Sequence, residues 1–287
     1  MTDTDIINQL SAICSFTYQM NDGCCVSISF YDEDDPLGGT VRRHPGKRDI
    51  IKLVSQMPCL KKLNIRKCKI GTLPQFITKS LEYVDISSND LTAIPDWLVD
   101  QKNLIFLNLG ANKLTTIPNL DNLPLDTLKI HKNNITRMPV LRDTIKSLNL
   151  FLNPLNSWPE IMKDYHRLEV LTIGVTKIDK ITSLSAFKQM KWLTLVINSI
   201  DNLPDDICKL TMLEGLQLAK NRLCRLPEDI GRLINLRALT VYANDLESLP
   251  ESFFCLNLQK LNIAKNRLDS FHDRVVARYG GIDLLRL

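Results

Sequence analysis

Hydrophobic and polar positions recur along this chain with one period. From Leu60 to Leu268 the pattern L-x-x-L-x-L-x-x-N-x-L returns ten times, at intervals of 20 to 23 residues, beginning at Leu60, Leu81, Leu104, Leu125, Ile145, Leu168, Met190, Leu213, Leu236 and Leu258. Apolar positions four and six alternate with residues that can face elsewhere, as in a short strand with one dry side. Leucines at positions one and eleven close a coil around that side. Position nine is Asn in eight of the ten copies, Cys68 and Thr176 being the exceptions. A buried amide there turns the chain out of the strand and can both donate to and accept from backbone groups of neighbouring coils. Units this short cannot bury their apolar side alone, so the pattern predicts a stacked solenoid with a parallel sheet.

Proline stands four residues after position eleven in eight copies: Pro74, Pro95, Pro118, Pro139, Pro159, Pro204, Pro227 and Pro250. Acids often follow it, as in "LPDDI", "LPEDI" and "LPESF". This predicts proline at the first position of a short helical turn, with the acid near its positive end and the next apolar residue, Ile207, Ile230 or Phe253, folding back onto the core. Copy six lacks the proline and carries Thr176 in the Asn column, so a local change on the far side of that coil is expected.

The repeats resemble the leucine-rich repeat family over about three quarters of the chain, from Leu60 to Leu268. Their "LP" endings are similar to the intracellular class seen in Ras-pathway scaffolds of the Shoc2-like kind and in some bacterial effectors. The resemblance implies an α/β solenoid, a horseshoe of about ten repeats with the parallel sheet on its concave face and short helical, 3-10 or extended segments on its convex face. It also implies a non-catalytic partner-binding role, with a small GTPase or a phosphatase as the partner class.

Terminal coils need covers. Residues 1–59 read as an N-terminal cap, with a helix over 4–14, a strand over 25–31 that extends the sheet, an acidic loop "DEDDPLGG" and a helix over 48–57. Residues 60–268 are the repeats. In 269–287, "SFHDRVVARYGG" reads as a short helix ended by Gly280, and "IDLLRL" as further apolar cover.

Positions three, five and seven of each strand point away from the leucines, and position eight lies at their rim. In copies one to four these columns are mostly polar or basic, with Tyr83 and Phe106 as additional candidate contacts. Copies five to seven instead offer Phe151 and Leu152, then Val170 and Val175, then Trp192, Val196 and Ile197. Three adjacent coils therefore line up apolar side chains that cannot join the core, which marks a partner-binding patch. Trp192 is its best single anchor. Copies eight to ten return to mixed residues, with Tyr242 a further candidate contact.

Charge adds a second surface. Residues 1–41 hold seven acids and no Lys or Arg, so the overall +4 leaves the remainder at +11. Candidate electrostatic contacts are Lys61, Lys62, Arg66 and Lys67 in copy one, Lys220 and Arg222 in copy eight, and Lys265 and Arg267 in copy ten. Such edges suit an acidic protein or RNA, or pairing with the acidic leader.

Chemistry beyond binding is sparse in the sequence. His44, His131, His166 and His272 are isolated, and no phosphate-binding, zinc-protease or nucleophile-elbow motif occurs. Eight cysteines are scattered without a C-x-x-C pair, which reads as reduced, mostly buried thiols and neither a zinc site nor a stapled cap. No metal, cofactor or catalytic residue is expected. The N-terminus lacks a signal-peptide pattern and no stretch of about 18 apolar residues offers a membrane span, which places the chain in the cytoplasm, or the nucleus. The leading expectation is thus a protein-binding adaptor, scaffold or regulatory subunit. The alternatives are a ribosomal or spliceosomal RNA–protein component using the basic edges, and a substrate-recognition subunit of a ubiquitin ligase or a pathogen effector.

Overall fold

The computed structural model describes residues 1–12, 16–30, 47–280 and 284–286. The chain divides into two compact units: Met1–Ile135 with Pro139–Ile145, and Thr136–Met138 with Lys146–Leu287.

The first unit opens with helix α1 (Asp3–Ser11), shorter than the 4–14 expected. Thr2 and Asp5 form a reciprocal capping box, Thr2 N–H donating to Asp5 Oδ2 at 2.7 Å and Asp5 N–H to Thr2 Oγ1 at 3.2 Å. The helix buries Ile6, Ile7 and Leu10. An unexpected strand, β1 (Thr17–Asn21), pairs antiparallel with β2 (Cys24–Ser29). Asp22 and Gly23 join them with φ of 49° and 80°, the two positive angles that a two-residue hairpin matching the strand twist requires. The strand expected over 25–31 is β2, and it does join the sheet, parallel to β3 (Lys62–Asn64). The helix expected over 48–57 is α2 (Lys47–Val54). The acidic loop "DEDDPLGG" lies outside the described residues. β4 (Tyr83–Asp85), helix α3 (Asp96–Val99), β5 (Phe106–Asn108) and β6 (Thr127–Lys129) complete the unit. From β2 onward its strands are parallel, and those of the coils are in step, Lys62 opposite Tyr83, Tyr83 opposite Phe106 and Phe106 opposite Thr127.

The second unit repeats the plan with β7 (Ser147–Asn149), β8 (Val170–Thr172), β9 (Trp192–Thr194), β10 (Gly215–Gln217), β11 (Ala238–Thr240) and β12 (Lys260–Asn262), all parallel. Helix α4 (His272–Tyr279) follows, as expected, up to Gly280. The "IDLLRL" tail supplies a strand, β13 (Leu284–Arg286), parallel to β12. Sheet edges left unpaired invite association, and this tail takes up the edge of β12.

Both units hold the same core. Positions four and six are buried throughout, among them Leu63, Ile65, Leu107, Leu109, Leu171, Ile173, Leu216 and Leu218, all fully buried but for traces. Each such side chain stabilises the coil by roughly 1.5–3 kcal/mol. The Asn column stitches successive coils, as its polar chemistry predicts. Asn112 accepts from Asn89 N–H and Leu91 N–H at 3.0 Å each, and donates to Ile86 O at 3.1 Å and Leu109 O at 2.9 Å. Asn221 accepts from Ile200 N–H at 3.1 Å and donates to Leu195 O at 2.8 Å and Leu218 O at 2.9 Å.

Proline behaves differently from expectation. Pro95, Pro159, Pro204 and Pro250 occupy the cap just before a helical turn, with extended ψ of 122° to 152°, and the turn begins at the acid that follows. Their fixed φ suits either place, but extended ψ puts them outside the turn. No helical turn follows Pro74, Pro118 or Pro139. Ile207, Ile230 and Phe253 are fully buried, as expected. Copy six does change: Lys180 forms an isolated parallel bridge with Asn202, and Asp206 of the next coil accepts from Leu184 N–H and Ser185 N–H at 3.1 Å each. Thr176 donates its hydroxyl to the side-chain oxygen of Asn198 in the next coil.

Candidate functional site

One backbone feature controls what each coil displays. Position eight is left-handed in all ten copies: Lys67, Ser88, Ala111, Lys132, Leu152, Val175, Ile197, Lys220, Ala243 and Lys265 have φ between 53° and 59°. This turn lets the residue's N–H keep bonding to the next coil while the chain leaves the strand. Leu152 donates to Gly174 O at 2.9 Å, Val175 to Val196 O at 3.1 Å, Ile197 to Ala219 O at 2.9 Å and Lys220 to Tyr242 O at 2.7 Å. The left-handed region disfavours side chains branched at Cβ, and costs an ordinary L-residue roughly 1–2 kcal/mol. Val175 and Ile197 are branched, and both adopt it in adjacent coils.

On the second unit, strand register sets the open face in rows. Ser147, Val170, Trp192, Gly215, Ala238 and Lys260 form one row. Trp192 and Ile197 are each 40% exposed. Phe151, Leu152, Val170, Val175 and Val196 are half-buried. The Phe151 ring covers Gly174, where a built Cβ would lie 2.9 Å from it. Trp192 does the same to Gly215, so its indole leans toward copy eight.

That lean joins Trp192 to residues the sequence reading did not connect with it. A pocket of about 290 Å³ is lined by Trp192, Gln217, Ala238, Thr240, Lys260 and Asn262. The signal was present: small residues, Gly215 and Ala238, follow Trp192 in the same column of the next two copies and leave room beside the ring.

The first unit's face is of another kind. Tyr83 stacks on Phe106 with ring centroids 4.2 Å apart and planes 4° from parallel. Lys62 Nζ sits 4.9 Å from the Tyr83 ring and Lys129 Nζ 5.4 Å from the Phe106 ring, giving a ladder of two aromatics between two cations. Below it Asp85 is buried, accepting from Ser87 N–H at 3.0 Å, the Ser87 hydroxyl at 2.6 Å and Asn108 Nδ2 at 2.9 Å. His131 lies over Gly110 and is held below the usual imidazole pKa by burial, then by Lys132 and Lys129.

The remaining basic candidates divide. Lys61 pairs with Glu82 at 3.0 Å, and Arg267 with Asp245 and Glu247 at 3.2 Å each. Lys265 Nζ stands 5.3 Å from the Tyr242 ring and, by hydrogen bonding, lowers that phenol's pKa. Lys67, Lys220 and Arg222 have exposed side chains, and Arg66 is half-buried. Pairing with the acidic loop falls outside the described residues. Among the described cysteines, Cys25, Cys68 and Cys208 are buried, whereas Cys24 and Cys59 are partly exposed and Cys224 and Cys255 exposed, so the expectation of mostly buried thiols holds for only some of them. Among the described residues no cluster of three His, Cys, Asp or Glu is arranged to hold a metal, and no helix is long and apolar enough to cross a membrane.

Residues 144–279 match a family described as a leucine-rich repeat region. Toll-like receptor 2 type-2 of Gallus gallus is 27% identical over 149 residues, which is 50% of this chain and 19% of the receptor. Toll-like receptor 2 type-1 of the same species is 28% identical over a stretch of the same length. The chain thus spans about a fifth of the length of these curated relatives. Among solved structures, a leucine-rich repeat protein of Leptospira interrogans superposes with a TM-score of 0.74 at 28% identity, covering 81% of this chain and 62% of that one. The internalin inlF of Listeria monocytogenes, at 19% identity and a TM-score of 0.58 over 72% of this chain and 67% of its own, shares the fold alone. Repeat pattern, coil geometry and these likenesses converge: the chain has the leucine-rich repeat fold, and its residues 144–279 match that family.

Proposed function

We propose that the chain is a non-catalytic protein-binding module whose partner docks on the open face of the second unit through Phe151, Leu152, Val170, Val175, Trp192, Val196 and Ile197. One observation carries this reading. Val175 and Ile197 adopt the left-handed conformation that their branched side chains resist, and Ile197 is 40% exposed, so burial in this chain does not offset the strain. Seven other copies fill the same position with Lys, Ser or Ala. The coil imposes the conformation but not the branched side chains, and placing them where they add strain points to use by a partner. The resemblance to "LP" repeats supports an adaptor, scaffold or regulatory subunit of the cytoplasm or nucleus, with a small GTPase or phosphatase as the partner class, and residues 1–59 and 269–287 as its caps.

The test is affinity capture from native extract at low and high salt, comparing wild type with a Phe151→Glu, Trp192→Glu double variant that retains its circular dichroism spectrum. A partner retained in high salt and lost in the variant supports the apolar face. A partner bound equally by the variant sinks it.

The ladder Lys62, Tyr83, Phe106 and Lys129 favours a second reading, an RNA-binding component, because rings between cations suit stacked bases and phosphates. Recovery of RNA that a Tyr83→Ala, Phe106→Ala variant loses, with steep salt dependence, would move the function there.

A further inference from the structure

The N-terminal cap carries chemistry that neither surface uses. The Cys59 thiol donates to Cys24 Sγ across only 2.7 Å. That is inside the contact distance of two non-bonded sulfurs, and a short approach from a bond of ~2.05 Å. The closeness follows from sheet register. Ser27 lies opposite Lys62 in the parallel pair of β2 and β3, and stepping back three residues on each chain brings Cys24 opposite Cys59. Neighbouring parallel strands run ~4.8 Å apart, within the Cα separations that a disulfide spans. Lys61 N–H donates to Val26 O at 2.9 Å, so the two backbones are pinned beside the pair.

Cys25 is kept out of this contact. Strand alternation sends it to the opposite side, where it is buried, its N–H held by Asp3 Oδ2 at 2.8 Å and its thiol donating to Ser27 O at 3.4 Å. Cys24 and Cys59 are partly exposed, so a small oxidant can reach them.

We infer that Cys24 and Cys59 are a modification site that closes into a disulfide, stapling the hairpin of the cap to the first coil. The oxidant is a low-molecular-weight disulfide such as oxidised glutathione. The thiolate of one cysteine attacks it, forming a mixed disulfide and releasing one glutathione thiolate. The second cysteine, deprotonated in turn, attacks the protein sulfur of that mixed disulfide and releases the second. Two protein thiols are oxidised, one glutathione disulfide is reduced to two thiols, and the two protons end on those thiols. A reducing compartment holds the pair open and an oxidising one closes it. Each attack needs a thiolate, so closure accelerates as pH rises.

The full chain incubated with oxidised glutathione at about pH 8, then alkylated and digested with chymotrypsin without reduction, tests this directly. The expected product is a linked peptide pair containing Cys24 and Cys59, present in wild type and in Cys25→Ser but absent from Cys24→Ser and Cys59→Ser. Closure raises the melting temperature by about 5–10 °C in wild type, reversibly with dithiothreitol, and not in either variant that lacks the pair. Both cysteines recovered as free thiols or stable glutathione adducts, or Cys24 linked to Cys14 or Cys25, would overturn the inference. The wild-type peptide map decides the matter even where a variant folds poorly.

Discussion

The indole of Trp192 occupies the space a side chain on Gly215 would need: a Cβ built there would lie 2.2 Å from two ring carbons. Glycine is used at this position for room, since its backbone is that of an ordinary strand residue in register with Ala238. Gly215→Ala is expected to push the ring off the sheet at a stability loss at the low end of about 1–3 kcal/mol, because the ring can swing into solvent. Acrylamide quenching reports this selectively, since Trp97 and Trp158 are only 4% and 5% exposed. Unchanged quenching would mean that the ring does not rest there.

Relieving the left-handed strain should separate stability from binding. Asn tolerates this conformation far better than branched residues. Ile197→Asn and Val175→Asn are each expected to raise unfolding free energy by about 1 kcal/mol in urea titrations while abolishing partner capture. Loss of stability in both would show that these side chains serve folding, and would remove the argument for the surface.

His131 gives the first unit a pH dependence. Its Nδ1 is buried without a hydrogen-bond partner and its pKa is lowered from 6.5, burial being the main cause. The folded state therefore prefers the neutral ring, and the unfolded chain takes up the proton first. The contribution is complete above the unfolded value of 6.5 and is lost as pH falls through the folded one. Thermal melts from neutral to mildly acidic pH should show a decline in wild type that is shallower in His131→Gln.

Asn221→Ala removes one acceptor and two donors from a buried site, orphaning Ile200 N–H and taking one of two amide donors from each of Leu195 O and Leu218 O, which keep Asn198 and Asn244. A loss of about 3 kcal/mol is expected by urea unfolding, with faster hydrogen exchange at the Ile200 amide. A loss below about 1 kcal/mol would mean that water replaces the amide.

The strands and core were legible because alternation at Leu63 and Ile65, or Leu216 and Leu218, has one physical solution once the copies stack. The Asn column was legible for the same reason. The first hairpin was missed although Asp22-Gly23 between two apolar runs announces it. The left-handed row could not be read from residue type, since Leu152, Val175 and Ile197 are poor residues for that conformation and only the coil geometry imposes it. Trp192 was singled out with its apolar neighbours to the N-terminal side, but the direction of its lean depends on Gly215 and Ala238, whose meaning is an absence of bulk. Cys24 and Cys59 meet through a strand register that sequence spacing does not reveal.

The left-handed row also acts as a ruler. Because each position-eight amide is tied to the next coil, Leu152, Val175 and Ile197 are presented one per strand, at intervals of about 4.8 Å. An extended chain lying across these coils repeats its same-face side chains every ~6.7 Å and falls out of step within two contacts. A helix repeats every ~5.4 Å and stays nearly in step over all three. The metric of the row, set by backbone hydrogen bonds alone, therefore selects among partner shapes before any side-chain chemistry is compared.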